Sequence, residues 1–214
     1  MTYSIPKLPL SIELETKLVL KKLNLAHRAL AELKGVTGII PNQSILINTL
    51  SLQEAKDSSA IENIITTHDE LYKSDVSSKQ FTTFQAKEVY SYSQALQGGY
   101  KKVKKTGLLV NSNILEIQET LEENNAGFRK LPGTVLKNER TGEVIYSPPQ
   151  NESQIRPLMD NLEQFMNNDS LSDLDPLIKM AIIHHQFESI HPFYDGNGDG
   201  SLKVAGDKLL KSLT

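Results

Sequence analysis

The chain has 214 residues, of which 38% are hydrophobic and 23% charged, and this balance predicts a globular protein with a buried core. Its net charge of −3 argues against a surface built for polyanions, so we expect neither nucleic acid nor a membrane as partner. Without cysteine, disulfides and thiolate metal sites are excluded. No apolar run has the length of a membrane span or of a signal-peptide core, so the sequence predicts a soluble, cytoplasmic chain.

The first half of the chain is predicted to be helical after a short arm. Two prolines among the first ten residues indicate an extended arm. Leucines and alanines at three- and four-residue spacing predict a helix from Ser11 to about Lys34, with Gly35 as its end. A second helical segment is expected from about Gln43 to Ile64.

The middle of the chain predicts two more helices and the only credible β-structure. A helix with aromatic and aliphatic positions begins near Phe81 and should end at Gly98-Gly99. Asn113 and Glu116 have the spacing of a capping box and would open the next helix. A β-hairpin is predicted from strands at 134–136 and 143–146, which a polar segment with one glycine separates.

The last clear helix leads into a loop rich in polar residues and glycine. Asp175 can cap free amides and Pro176 suits the first helical position, so the helix should begin there. It should end before Pro192, because a residue that precedes proline avoids the α region. The loop that follows reads His191-Pro192-Phe193-Tyr194-Asp195-Gly196-Asn197-Gly198.

These residue types fit the chemistry of phosphoryl or nucleotidyl transfer. Gly196 and Gly198 would let backbone N–H groups form an anion-binding nest. Asp195 is the hard oxygen ligand that Mg²⁺ prefers beside phosphates. His191 could take a proton from a hydroxyl at neutral pH. An ordinary solvated turn uses the same residue types, so the residues alone leave both interpretations open.

The loop resembles the active-site motif of the Fic (Fic/Doc) family, His-x-Phe-x-(Asp/Glu)-Gly-Asn-Gly-Arg-x-x-Arg, over eight consecutive positions. The resemblance implies an all-α, Fic-type helical bundle with one small β-hairpin, the flap, which aligns a target segment. It implies transfer of AMP from ATP to a protein hydroxyl, with His191 as base, Asp195 as the Mg²⁺ ligand and Gly196, Asn197 and Gly198 around the phosphates. Some members transfer other phosphate-containing groups, and the motif leaves that alternative open.

The partners that the resemblance implies are ATP and a target protein with a Ser, Thr or Tyr hydroxyl, and the family is compatible with an oligomer. Ser58-Ser-Ala-Ile-Glu62-Asn63 also resembles the family's inhibitory motif, (Ser/Thr)-x-x-x-Glu-(Gly/Asn). In that motif the glutamate pairs with the second arginine of the active-site motif and blocks the binding position of the ATP γ-phosphate. The resemblance therefore implies Ser58, Glu62 and Asn63 as the inhibitory positions. It also implies that Glu62 borders the nucleotide site. The placement resembles the class with an N-terminal inhibitory helix. It suggests an N-terminal region over 1–95 and a Fic core over 96–214.

The resemblance stops after Gly198. Where the family has two arginines, this chain has Asp199 and Leu202, so the motif is altered or truncated. An aspartate there would repel the triphosphate that an arginine clamps. We therefore expect this chain to bind ATP poorly and to have low activity.

A second interpretation comes from a different functional class. Residues 195–207 resemble the start of an EF-hand or dockerin-type calcium loop, with Asp195, Asn197 and Asp199 at ligand positions one, three and five. The twelfth position is Gly206 rather than glutamate, and Asp207 comes one residue late. A non-enzymatic chain with a weak calcium site is therefore the alternative.

Overall fold

A computed structural model describes residues 4–37, 49, 52–53, 55–57, 59–60, 65–73, 80–138, 140–194 and 197 of the chain. Within these ranges the fold is mostly helical, with one two-stranded antiparallel sheet, which confirms the predicted all-α class with a hairpin. The described elements are α1 (Lys17–Thr37), α2 (His68–Lys73), α3 (Phe84–Thr106), α4 (Asn111–Glu122), β1 (Leu136–Lys137), β2 (Val144–Tyr146), α5 (Glu152–Asn167), a 3₁₀ turn (Asp169–Leu171) and α6 (Pro176–Ile190).

The core lies where α3 packs on α4 and α5 packs on α6. Each of these helices buries one apolar face, and full burial of each large apolar side chain contributes about 1.5–3 kcal/mol. The largest fully buried apolar side chains include Tyr92, Phe165, Phe187 and Phe193. Among the described residues, no helix is both long and apolar enough to cross a lipid bilayer.

Helix α1 begins six residues later than predicted, at Lys17, because the arm before it is held by other elements. Leu8 is buried and exchanges two hydrogen bonds with the Asn161 side chain of α5, its N–H donating at 2.8 Å and its carbonyl accepting at 2.9 Å. The Gln186 amide of α6 donates to the Pro6 carbonyl at 2.7 Å. Non-helical backbone therefore continues past the tenth residue to residue 16, and α1 runs through Gly35 to Thr37.

The predicted end of the third helix at Gly98-Gly99 is wrong. Helix α3 continues to Thr106 and ends at Gly107, whose φ is 72° and whose N–H donates to the Val103 carbonyl. Gly99 and Val103 are buried on the face that joins the core. Packing on this face offsets the local cost of two helical glycines, about 1 kcal/mol each. The suggested division after residue 95 falls inside α3, and the assignment of an N-terminal region and a Fic core stays a prediction.

The predicted capping box at Asn113 and Glu116 is also wrong. Helix α4 begins at Asn111, where the backbone N–H donates to the Glu163 carboxylate of α5 at 2.5 Å. Asn113 accepts from the Val110 N–H, and Glu116 forms an ion pair with Lys102 of α3 instead. The cap of α4 is thus supplied by a different helix.

The hairpin forms at the predicted place, but both strands are shorter than predicted and the first lies closer to the turn. Leu136 pairs with Tyr146 and Lys137 with Val144, with an irregularity between the two pairs. The turn closes through the Gly142 N–H, which donates to the Asn138 carbonyl at 2.8 Å, and Gly142 has a φ of 71°. Leu136, Val144 and Ile145 are all more than half exposed.

Two glycines, Gly98 inside α3 and Gly107 directly after its last residue, give a matched test of helix propensity. Added Cβ atoms at Gly98 and Gly107 would meet no heavy atom within 4 Å, but only Gly107 has a positive φ, of +72°. We expect Gly98→Ala to raise the free energy of unfolding by about 0.5–1 kcal/mol. We expect Gly107→Ala to lower it by about 1 kcal/mol. Urea unfolding measures both, and shifts of the same sign would contradict this account of α3.

Candidate active site

The candidate site begins where α6 ends. Asp175 caps the helix by accepting from the Leu177 N–H at 2.9 Å, and Pro176 is its first residue, as predicted. At the other end His191 adopts a left-handed conformation with φ 47° and ψ 62°, and its N–H donates to the Phe187 carbonyl at 2.8 Å. This conformation costs a non-glycine residue about 1–2 kcal/mol. Strained residues cluster at functional sites, which makes His191 a candidate.

The loop after His191 is anchored from within. Phe193 is fully buried, with its ring centroid 5.6 Å from that of Phe128 and 6.2 Å from that of Phe187. The buried Asn197 amide pairs with the backbone of Phe193, donating to its carbonyl and accepting from its N–H, both at 2.8 Å. Asn197 therefore shapes the loop, and its expected part in nucleotide binding stays a prediction.

A buried arginine that the sequence analysis missed joins this loop to two other segments. The Nε of Arg129 donates to the His191 carbonyl and an Nη to the Pro149 carbonyl, both at 2.8 Å. The Arg129 backbone N–H donates to the Pro192 carbonyl, also at 2.8 Å. The one available signal was its position directly after Phe128, an aromatic residue that is buried in the core. Burial lowers the pKa of Arg129, and the nearby Tyr194 acts in the opposite direction.

Tyr194 holds the outer side of the loop. Its hydroxyl oxygen accepts from the Lys130 and Leu131 backbone N–H groups at 3.1 and 2.9 Å. These two hydrogen bonds favour the phenolate and so lower the pKa of Tyr194, and the one from Leu131 contributes most. The loop is thus tied on both sides to the segment that leads into the hairpin.

The hairpin and the end of α6 enclose a cavity of about 530 Å³. The Tyr146 hydroxyl of β2 donates to the Ser189 carbonyl at 2.6 Å and so holds the hairpin against the last turn of α6. His191 lies at the cavity wall together with a second histidine, His185. The remaining lining residues are Thr134, Val135, Leu136, Tyr146, Pro148, Glu188 and Ser189.

The other predicted site residues lie outside the described ranges. These are the proposed Mg²⁺ ligand and phosphate-binding glycines, the inhibitory positions and the rest of the calcium-like loop: Asp195, Gly196, Gly198, Ser58, Glu62, Asn63 and residues 199–207. Within the described ranges no three His, Asp or Glu side chains cluster as metal ligands. Close to the inhibitory positions, Ala55 and Ser59 are helical and buried.

Comparisons with known proteins find similarity to proteins of the Fic family. The sequence profile described as the Fic/DOC family N-terminal region matches residues 20–101. Protein adenylyltransferase Fic of Drosophila erecta is 31% identical over 64 residues, which are 30% of this chain and 13% of that protein.

Solved structures show the same fold. A Fic family protein from Desulfovibrio desulfuricans G20 has a TM-score of 0.67 at 21% identity, over 95% of this chain and 59% of that one. A Fic-domain-containing signaling protein from Bacteroides thetaiotaomicron VPI-5482 has a TM-score of 0.68 at 20% identity, over 89% and 71%. This chain thus spans less than two thirds of the Drosophila and Desulfovibrio proteins.

The strained conformation of His191 can be tested by stability. His191→Ala keeps a Cβ in the left-handed region, whereas His191→Gly removes it, so the glycine variant should be the more stable of the two by about 0.5–1 kcal/mol. Thermal and urea unfolding of the pair measure this difference. The same pair of substitutions at the exposed His184, inside α6, should reverse the order, because glycine is a poor helix former. A less stable glycine variant at position 191 would contradict the assigned conformation.

Proposed function

We propose that this chain is a Fic domain protein that transfers AMP from ATP to a side-chain hydroxyl of a target protein. The observation that carries the proposal is the position of His191. Its imidazole belongs to a strained residue at the wall of the cavity that the hairpin covers. An imidazole held at the end of a rigid helix is suited to take a proton from a bound hydroxyl.

The proposed reaction assigns one step to each group. His191 accepts the proton of the target hydroxyl as its oxygen attacks the α-phosphorus of ATP, and pyrophosphate leaves with the electrons of the broken P–O bond. Asp195 would hold Mg²⁺, which supplies positive charge beside the phosphates. The exposed apolar side chains of the hairpin, Leu136, Val144 and Ile145, suit contact with a protein target rather than with a small molecule.

Low activity of this chain follows from the residues after Gly198. Charge-assisted hydrogen bonds to phosphate contribute about 1.5–3 kcal/mol each. Without arginines at positions 199 and 202, and with Asp199 beside the triphosphate, the loss is on the order of 4 kcal/mol, or about a thousandfold in affinity.

Restoring the arginines should therefore restore the reaction. We expect Asp199→Arg/Leu202→Arg to raise both ATP affinity and AMP transfer, and His191→Ala in that background to reduce transfer by about 10²–10⁴-fold. Incorporation of label from α-³²P-ATP, compared with γ-³²P-ATP, measures the transfer and separates AMP from phosphate as the group moved. His185→Ala is the control, because it removes the other imidazole of the same cavity. Equal losses in the two histidine variants, or micromolar ATP binding by the unmodified chain, would contradict the proposal.

We also propose that Glu62, flanked by Ser58 and Asn63, restrains the enzyme only through an arginine at position 202. In the arginine-restored chain Glu62→Gly should raise AMP transfer on the order of tenfold or more, because the glutamate then competes with the γ-phosphate for that arginine. In the chain as it stands, with Leu202, the same substitution should have little effect.

The control for the glutamate is Asp57→Gly, which places the same glycine at an exposed helical position a few residues earlier. Initial rates of label transfer in the two backgrounds measure the difference. Equal activation by Glu62→Gly in both backgrounds would show that the glutamate acts by another route.

A further inference from the structure

We infer that Arg129 is a positioning residue, which holds His191 and the end of the hairpin at a fixed separation so that the imidazole meets the hydroxyl of a target bound along the hairpin. The inference rests on the proposed function, because it takes His191 as the base and the hairpin as the place where the target binds. The contacts that support it are those of Arg129 itself.

The guanidinium bridges the two segments that flank the cavity. Its Nε and one Nη, each 2.8 Å from its acceptor, bind the carbonyls of His191 on the loop and Pro149 at the end of the hairpin segment. The guanidinium is planar and its donors are rigidly spaced, so two carbonyls bound by it keep a set distance from each other. A lysine ammonium has no such fork.

The bridge acts on the backbone angle that is strained. The direction of the His191 carbonyl is defined by its ψ of 62°, in a left-handed conformation that is unfavourable for histidine. Pro192 adds to the cost, because a residue before proline avoids helical conformations. By holding the carbonyls of His191 and Pro192, Arg129 keeps the backbone in this conformation and thereby sets where the imidazole points.

The burial of Arg129 argues against a role in stability alone. The residue is fully buried, and no described carboxylate forms an ion pair with it. One guanidinium nitrogen, Nη1, is buried without a hydrogen-bond partner. A buried charge of this kind is costly, and an apolar side chain would fill the space with less penalty. An apolar side chain could not donate the hydrogen bonds to the His191 and Pro149 carbonyls.

The test compares Arg129→Lys with Arg156→Lys in the full chain. Arg156 is an exposed arginine that pairs with Glu152 within α5, and its guanidinium lies 5.6 Å from the ring centroid of Phe128, so it is a control from the same neighbourhood. Hydrogen–deuterium exchange is measured on peptides covering 134–149 and 187–194, and on peptides from α4 and α5. We expect Arg129→Lys to speed exchange at least tenfold in the first two peptides and to leave the helices unchanged, with no effect from Arg156→Lys.

Activity supplies the second readout. In the Asp199→Arg/Leu202→Arg background, Arg129→Lys should lower kcat about 10²-fold, as expected for a misplaced catalytic group, and change KM for ATP less than threefold. Arg129→Ala with added guanidinium ion should regain part of the lost kcat. Uniformly faster exchange in all peptides, or an unchanged kcat, would overturn the inference. If the restored chain transfers no AMP at all, the proposed function fails, and the exchange pattern alone decides whether Arg129 links the loop to the hairpin.

Discussion

One buried guanidinium holds the candidate site together. Arg129 lies between α4 and the hairpin in sequence, yet its donors reach the residue that ends α6, the proline after it and the far end of the hairpin segment. Because backbone carbonyls are obligatory acceptors, bringing two of them to one planar group satisfies each and fixes their spacing. The strained histidine and the end of the hairpin segment both contact this group, and the hydrogen bond from Tyr146 to Ser189 holds the hairpin against α6 at a second point.

Helix α6 connects the candidate site to the N-terminal elements of the fold. At its start, Asp175 caps the first turn and also lies 2.7 Å from the Nε2 of His27 in α1, while its backbone N–H donates to Glu15 at 3.1 Å. The N-terminal arm and α1 therefore contact the helix that carries the candidate base at its other end.

The fold and the proposed phosphate-binding positions involve different residues. In the described part of the chain, the core consists mostly of buried apolar side chains of α3 to α6, together with Phe193. The chain has the fold of solved Fic proteins although Asp199 and Leu202 stand where the resemblance of the loop motif predicts arginines. Fold alone does not establish activity, since function is located in particular residues supported by the scaffold. The arginine-restored chain separates these two properties.

The features that depend on local chemistry could be predicted from the sequence. Neighbouring residues and their local sterics are enough to predict four features: the cap and proline that open α6, its end before Pro192, the hairpin and the loop motif. Other features depend on contacts between distant segments and appear only in the folded chain. Helix α3 continues through Gly98-Gly99 because packing offsets the cost of glycine, and α4 takes its cap from Glu163. Arg129 shows the reason most clearly, since its partners lie 20 and 62 residues away, and no local pattern records a contact over that distance.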